Sequence, residues 1–199
     1  MKVMFAIILV PDGITYRKIS DLSEGIAAKY RIRTSRRYKK IPFHLSLFFQ
    51  SKKINDKDVR KITIRLKGEC TKTKPFEVKI DGFGWYAARA RNSTSYYVCL
   101  NATSDRHLND LYRVVSSAVN EYVDVKLDRF VPHITLIRDG LDRETFHRIK
   151  NEYENAEFNK RFAVKSVVIG VQRLNAAWEF KKIHFKPSIR QVRPERAVR

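Results

Sequence analysis

The chain has 199 residues, of which 43% are hydrophobic and 12% aromatic, and its formal net charge is +20. This composition excludes an intrinsically disordered or collagen-like chain, and the length predicts one domain, or two lobes of one fold, with a sizeable core. Lysine and arginine gain association energy by displacing counterions from phosphates, so the charge indicates a polyanionic partner; a generally basic surface is the alternative.

The N-terminal apolar run, residues 1–10, ends at Pro11-Asp12-Gly13 and has no small-residue cleavage site after it. We interpret it as a buried strand over 3–10 and not as a signal peptide, and no other stretch approaches the roughly 20 apolar residues of a membrane span. We therefore expect a cytoplasmic protein without membrane association. Cys70 and Cys99 form no Cys-x-x-Cys pattern, which predicts two buried thiols and neither a disulfide framework nor a zinc site.

The next part of the chain predicts helices and strands in alternation. Apolar residues at helical spacing favour a helix over 14–30, and residues 29–40 form a basic segment with seven cationic residues and no acid. The elements that follow are a strand over 43–50, a helix over 56–67 with Asp56 as its N-cap, and a half-buried strand over 76–80.

Residues 82–85, Gly-Phe-Gly-Trp, indicate a bulge or a close backbone approach. The remaining predicted elements are a hairpin with strands over 85–90 and 96–100 around residues 92–94, a helix from about Ser104 with Asp105 in its first turn, a strand over 131–137, a helix opened by Asp142, and strands near 162–174 and 177–185. Hairpins mixed irregularly with helices predict an α+β fold with mainly antiparallel sheets. The absence of a linker predicts one domain over 1–186, followed by a basic tail at 187–199. We expect this domain to be a monomer.

One short pattern occurs twice, as a histidine, an apolar residue, a hydroxyl residue and another apolar residue. The copies are His44-Leu45-Ser46-Leu47 and His133-Ile134-Thr135-Leu136, each within a predicted strand. Because side chains alternate across a strand, the histidine and the hydroxyl of each copy point to one face and the apolar residues point to the other. A single histidine on a strand is usually structural, but the repetition favours a pair of catalytic imidazoles.

These two motifs, about ninety residues apart, resemble the two His-x-Ser/Thr motifs of the two-histidine (2H) phosphoesterases, which include the LigT-type RNA 2',3'-cyclic phosphodiesterases, also called 2'-5' RNA ligases. The resemblance covers most of residues 1–186. It extends to Arg138, three residues after the second hydroxyl, and to the glycine-aromatic turn at 82–84.

The resemblance implies a bilobal fold in which two mainly antiparallel sheets form a central cleft with helices outside. It also implies an enzyme that needs no metal or other cofactor. One neutral histidine would take a proton and the other, protonated, would donate one, since imidazole titrates near neutral pH. Family precedent gives His44 as the acid and His133 as the base for a cyclic phosphate. Ser46 and Thr135 would bind the phosphate oxygens.

Other residues are weighed separately. Arg138 is a phosphate ligand only if the strand ends or twists there; a surface ion pair is the alternative. Trp85 and Trp178 are candidates for stacking on a base, with core packing as the alternative, and core packing is favoured for Phe43. The other three histidines lack the motif and are interpreted as surface residues: His107, His147 and His184.

Three functions remain open. The first is hydrolysis of RNA 2',3'-cyclic phosphate ends to 2'-phosphates, with 2'-5' ligation as the reverse reaction. The second is hydrolysis of 2'-5' oligoadenylates or cyclic oligonucleotides, which are short and explain an extended basic surface less well. The third is an RNA-binding module without activity, disfavoured because both motifs are intact. Residues 29–40 and 181–199 together hold +13 of the +20 charge, so we expect them to bind the body of an RNA substrate.

Overall fold

The computed structural model describes residues 2–33, 41–90, 93–123, 130–138, 140–174 and 176–186. Most of the basic segment (34–40) and the predicted tail (187–199) lie outside the described residues. The elements follow in the order β1 (Lys2–Leu9), α1 (Gly13–Lys29), β2 (Leu45–Asn55), α2 (Asp56–Cys70), β3 (Phe76–Ala90), β4 (Ser93–Ala102), α3 (Arg106–Asn120), β5 (His133–Ile137), α4 (Arg143–Tyr153), β6 (Asn159–Val164), β7 (Ser166–Gln172) and β8 (Trp178–His184).

The strands form one sheet in the order β6-β3-β4-β5-β2-β1-β7-β8, with antiparallel neighbours throughout. The predicted α+β class and antiparallel pairing are confirmed. The sheet consists of two four-stranded halves, joined where Leu45 of β2 pairs with Ile134 of β5. The two sheets expected from the resemblance are therefore two halves of one continuous sheet.

The sheet is strongly curved, as the link between β6 and β7 requires. These strands lie six positions apart in the sheet, which would separate them by about 29 Å if it were flat. Only Lys165 joins them, and two chain steps span at most about 7 Å. The two halves must therefore approach each other at Lys165.

The helices connect the two halves. Helices α1 and α4 pack on β5, β6 and β4 of one half, whereas α2 and α3 pack on β1, β2, β7 and β8 of the other. Helix α1 follows β1 but covers the opposite half, and α3 follows β4 but covers the half that contains β1. The chain thus contains a β-α-β-α unit twice, as β1-α1-β2-α2 and β4-α3-β5-α4. The first helix of each unit crosses to the other half of the sheet, so the halves are joined without a linker.

The two sheet faces differ in what covers them. Leu45, Ile134 and Val98 belong to the main buried cluster, which also contains the apolar residues of all four described helices; we call this the helix face. Ala6, Ile8 and Val168 form a separate small cluster on the other side. Because directly paired residues share a face and Ile8 pairs with Ser46, this second side carries the hydroxyl of the first motif. We call it the histidine face.

Several element boundaries differ from the sequence prediction. Asp56 is the first residue of α2 and not its N-cap, a position that Asn55 holds without a side-chain hydrogen bond. The predicted strands at 76–80 and 85–90 are one strand, which continues through an irregular register at Gly82, where φ is +71°. The predicted strand near 162–174 is two strands, because the chain leaves β3 and joins β1 at Lys165.

Asp105 is the N-cap of α3, where it accepts a hydrogen bond from the main-chain N–H of Leu108, and so it precedes the predicted first turn. Other local predictions agree with the structure. Asp142 opens α4 as its N-cap and accepts a hydrogen bond from the main-chain N–H of Thr145. Both cysteines are buried free thiols. None of the described helices is long and apolar enough to span a membrane.

Candidate active site

The two histidine motifs meet at the centre of the sheet. Since β2 and β5 are antiparallel and Leu45 pairs with Ile134, the residues flanking this pair stand opposite each other. His44 is therefore opposite Thr135, and Ser46 is opposite His133. Directly opposite residues have Cβ atoms about 4.5–5.5 Å apart and share a face. Two imidazoles and two hydroxyls, all half-buried, thus form one group on the histidine face.

Each imidazole is held in the same way by a main-chain carbonyl two residues earlier. His44 Nδ1 lies 2.6 Å from the carbonyl oxygen of Pro42, and His133 Nδ1 lies 2.8 Å from that of Val131. A carbonyl only accepts, so Nδ1 must carry the hydrogen in both rings. In a neutral ring this leaves Nε2 as the atom that accepts a proton.

The surroundings of His44 favour its neutral form. Burial lowers the pKa of His44, and the positive charges of His133 and Arg138 lower it further. The hydrogen bond to the Pro42 carbonyl acts in the opposite direction, but the net shift is downward. At neutral pH His44 is therefore suited to take up a proton.

The second hydroxyl has a partner that the sequence analysis did not identify. Cys99 of β4 pairs with Thr135 of β5, and its thiol donates to Thr135 Oγ1 over 3.7 Å. Burial raises the pKa of Cys99 to about 12, so the thiol keeps its proton. Because Oγ1 accepts from the thiol, the Thr135 hydroxyl hydrogen is available for another acceptor.

His133 also packs against Tyr86 of β3, with 4.9 Å between the ring centroids. The Tyr86 hydroxyl donates to Asn101 Oδ1 over 3.2 Å, and Asn101 Nδ2 donates to the Phe83 carbonyl over 2.8 Å. A β-carbon at Gly84 would collide with the Asn101 side chain and force it to shift, so the glycine leaves room for this arrangement. The Tyr86 ring therefore helps to hold the His133 imidazole in position.

Arg138 lies just beyond the end of β5, so strand alternation no longer fixes its direction. Its guanidinium is 5.6 Å from the centre of the Tyr97 ring and influences His44 electrostatically. Tyr97 lies two residues before Cys99 on β4, on the histidine face. The structure therefore places the cation of Arg138 on the same side as the two histidines.

The two tryptophans are on different faces. Trp85 is half-buried on the helix face, where it packs against Phe83 and the α4 residue Phe146, because its strand position alternates away from Gly84 and Tyr86. The expectation that Trp85 stacks on a base is therefore not supported. Trp178 packs against the small cluster of the histidine face.

The remaining predicted residues are placed as expected. Phe43 packs against the main core and against Tyr16, with 5.6 Å between the ring centroids. The three histidines outside the motifs are exposed: His107, His147 and His184. Among the residues that the structure describes, no group of three or more His, Cys, Asp or Glu is arranged to hold a metal ion.

The site combines two proton-transfer groups with hydroxyl donors and one nearby guanidinium. Hydroxyl and guanidinium donors bind phosphate oxygens, and paired imidazoles serve reactions that move one proton to an oxygen and another away from it. Such a group suits displacement at phosphorus.

Comparisons with known proteins agree with this chemistry. The family model of the 2'-5' RNA ligase superfamily matches residues 19–176. A search among curated protein sequences finds no significant match. Solved structures share the fold at low sequence identity. A structure described as a phosphoesterase has a TM-score of 0.60 and 14% identity, with 92% of this chain and 95% of that chain covered.

Two further structures carry more specific names. LigT of Escherichia coli, complexed with phosphate, has a TM-score of 0.57 and 17% identity, with 91% of this chain and 94% of that chain covered. Usb1 of Kluyveromyces marxianus has a TM-score of 0.54 and 14% identity, with 92% and 98% covered. The family match extends over most of the chain and includes both histidine motifs, so the protein belongs to the 2'-5' RNA ligase superfamily of two-histidine phosphoesterases.

Proposed function

We propose that this protein hydrolyses 2',3'-cyclic phosphate ends of RNA to 2'-phosphates, using His44 and His133 as its proton-transfer groups and no metal ion. Membership of the superfamily supports a phosphodiesterase or phosphoesterase activity. The observation that carries the proposal is the Leu45–Ile134 pair, which brings two His-x-Ser/Thr motifs to one face. LigT has been solved with 3'-AMP and Usb1 with uridine monophosphate, and both ligands support a nucleotide substrate here.

In the proposed reaction, water attacks the phosphorus of the cyclic phosphate. Nε2 of one neutral histidine takes a proton from the water as the new P–O bond forms. The bond between phosphorus and the 3' oxygen breaks, and the other histidine, initially protonated, gives its proton to that oxygen. The product is a 2'-phosphate with a free 3'-hydroxyl. The same sequence of steps, with a 5'-hydroxyl in place of water, would form a 2'-5' linkage.

We assign the accepting role to His44 and the donating role to His133. The lowered pKa of His44 supports its neutral form, which leaves the donating role to His133. This assignment is the reverse of the one that the family resemblance implies. The same roles serve ligation, and they exchange when a 2'-5' linkage is cleaved back to the cyclic phosphate.

Ser46, Thr135 and Arg138 are proposed to bind the nonbridging phosphate oxygens. The negative charge on these oxygens grows in the transition state, so hydrogen-bond donors that are already in position stabilise the transition state more than the ground state. The thiol of Cys99 supports this role for Thr135, because it directs the hydroxyl hydrogen away from Cys99.

The test is product analysis on three substrates: an RNA with a 2',3'-cyclic phosphate end, a 2'-5' oligoadenylate and a cyclic dinucleotide. We expect the first to be converted to a 2'-phosphate, with activity unchanged by a chelator. Preferential cleavage of either other substrate would replace the proposed substrate class. RNA binding without turnover of any substrate would identify a binding module.

A further inference from the structure

Three aromatic side chains form a continuous surface on the histidine face. Phe49 of β2 lies 6.0 Å from Trp178 of β8, centroid to centroid, and Trp178 is stacked with Phe180 at 6.0 Å with an interplanar angle of 13°. Phe49 is 37% exposed and Phe180 is 38% exposed, which is unusual for side chains of this size. We call these three residues the aromatic strip.

The strand register explains how rings from β2 and β8 meet across two intervening strands. Phe49 pairs with Ala6, Ala6 pairs with Gly170, and Gly170 pairs with Phe180, so the row runs aromatic, small, small, aromatic. The small residues leave a depression, which the Trp178 ring fills. A β-carbon at Gly170 would lie 2.9 Å from the Phe180 ring and 3.1 Å from that of Trp178.

The aromatic strip adjoins the proposed phosphate site. A neighbouring row on the same face contains Ser46, Ile8, Val168 and Lys182 as successive partners. Along β1 the two rows are two residues apart, which corresponds to about 7 Å. Exposed rings are therefore found beside a hydroxyl of the phosphate site, with the exposed cation of Lys182 at the far end of that row.

From this arrangement we infer that the aromatic strip binds the bases of an unpaired RNA segment whose terminal phosphate is held at the two histidines. The inference deepens the proposed function by naming the substrate class as single-stranded oligonucleotide in preference to a mononucleotide or a duplex end. Flat rings accept any base, and adjacent cations bind the backbone, which is how single-stranded nucleic acids are bound without sequence preference. Three adjoining rings offer more stacking surface than one base can cover. The net charge of +20 favours RNA over an apolar protein partner.

Equilibrium binding tests the inference without requiring turnover, so its failure is distinguishable from failure of the proposed function. The probe is a fluorescently labelled six-nucleotide RNA that ends in a 2'-phosphate, and the competitors are a mononucleotide 2'-phosphate and a blunt duplex of the same sequence. Phe180 belongs to the edge strand β8, three strands from Ser46 on β2. We expect Phe180→Ala to weaken hexamer binding about tenfold. Mononucleotide binding should stay within twofold.

Two further variants keep the test decisive if Phe180→Ala disturbs the edge strand. Phe180→Tyr keeps a ring and should bind the hexamer within twofold of the parent. Gly170→Val leaves all three rings in the chain but displaces them. It should weaken binding of the six-nucleotide RNA as much as Phe180→Ala does. Ile64→Ala, at a 69% exposed position on α2, is the matched control and should have no effect.

Several results would overturn the inference. Hexamer affinity within twofold of the parent for both Phe180→Ala and Gly170→Val would exclude a stacking role. If the variants lose affinity equally for the six-nucleotide RNA and for the duplex, a preference for unpaired RNA is excluded. A change of oligomeric state in the variants without a change in RNA affinity would identify the aromatic strip as a protein interface instead.

Discussion

Leu45 of β2 and Ile134 of β5 are directly paired, and each is preceded by a histidine and followed by a hydroxyl residue. This pair lies at the join between the two halves of the sheet, with three further strands on either side. Both apolar side chains are fully buried on the helix face, so the flanking residues of both strands must point to the histidine face. The core packing of two hydrophobic residues thereby positions the proposed catalytic group.

The two hydroxyls are predicted to act on the transition state. Ser46→Ala and Thr135→Val should each lower kcat about a hundredfold on a cyclic-phosphate RNA, the usual effect of removing one hydrogen-bond donor to a developing charge. Steady-state kinetics provide the measurement. Ser20→Ala on α1 serves as the control. A rise in KM with unchanged kcat would instead assign the hydroxyls to ground-state binding.

The acid side of the pH profile should depend on Arg138. If His44 must be neutral to accept a proton, kcat/KM decreases as the pH falls through the pKa of His44. Arg138 lowers that pKa, so Arg138→Gln should move it up toward the ordinary value of 6.5 and shift the acid limb to higher pH. Arg138→Lys retains the charge and should leave the limb in place. If the acid limb of kcat/KM in Arg138→Gln is unchanged or moves to lower pH, the role of His44 as base is contradicted.

Tyr86 is predicted to be a positioning residue for His133. Its ring lies 4.9 Å from the imidazole. Tyr86→Leu should reduce kcat about tenfold with little change in KM, because a displaced proton donor affects the chemical step. Tyr86→Phe keeps the ring and should retain most of the parent's kcat. Nitrogen chemical shifts of His133 report its hydrogen bonding and should change only in Tyr86→Leu. Unchanged shifts together with an unchanged rate in Tyr86→Leu would disprove this role.

The tail prediction rests on the sequence alone. Residues 187–199 contain four arginines and one glutamate. A variant that ends at residue 186 should bind RNA more weakly, and its log–log salt slope should flatten by about 0.7 for each lost phosphate contact. Its turnover of a cyclic mononucleotide should match that of the full chain. An unchanged salt slope would mean that the tail does not contact RNA.

Strand alternation is sufficient to predict that the histidine and the hydroxyl residue of each motif share one face of their strand. It requires only that each motif be extended and half-buried, which the apolar residues at alternate positions ensure. The pairing of the two motifs was not predictable from local pattern, because register between β2 and β5 depends on packing between segments about ninety residues apart. The family resemblance supplied the expectation that they meet.

The supporting residues were missed for the same reason. Cys99, Tyr86 and Asn101 carry no motif, and they reach Thr135 and His133 only through the register of β3, β4 and β5. The break at Lys165 was also invisible, since apolar residues continue on both sides and only the change of strand partner ends β6. Both alternatives for Trp85 stay open in the sequence, because a glycine-rich segment gives no clear indication of which face its aromatic residues occupy.

The most direct test of the two-histidine site is the rate of cyclic-phosphate hydrolysis in His44→Ala and His133→Ala, with His107→Ala as the matched control at an exposed histidine. Each motif variant should lose at least a hundredfold in kcat while retaining the parent's circular dichroism spectrum, since proton transfer by a positioned side chain contributes about 10²–10⁴-fold. The control should match the parent. Activity within tenfold of the parent in both motif variants would contradict catalysis by the paired histidines.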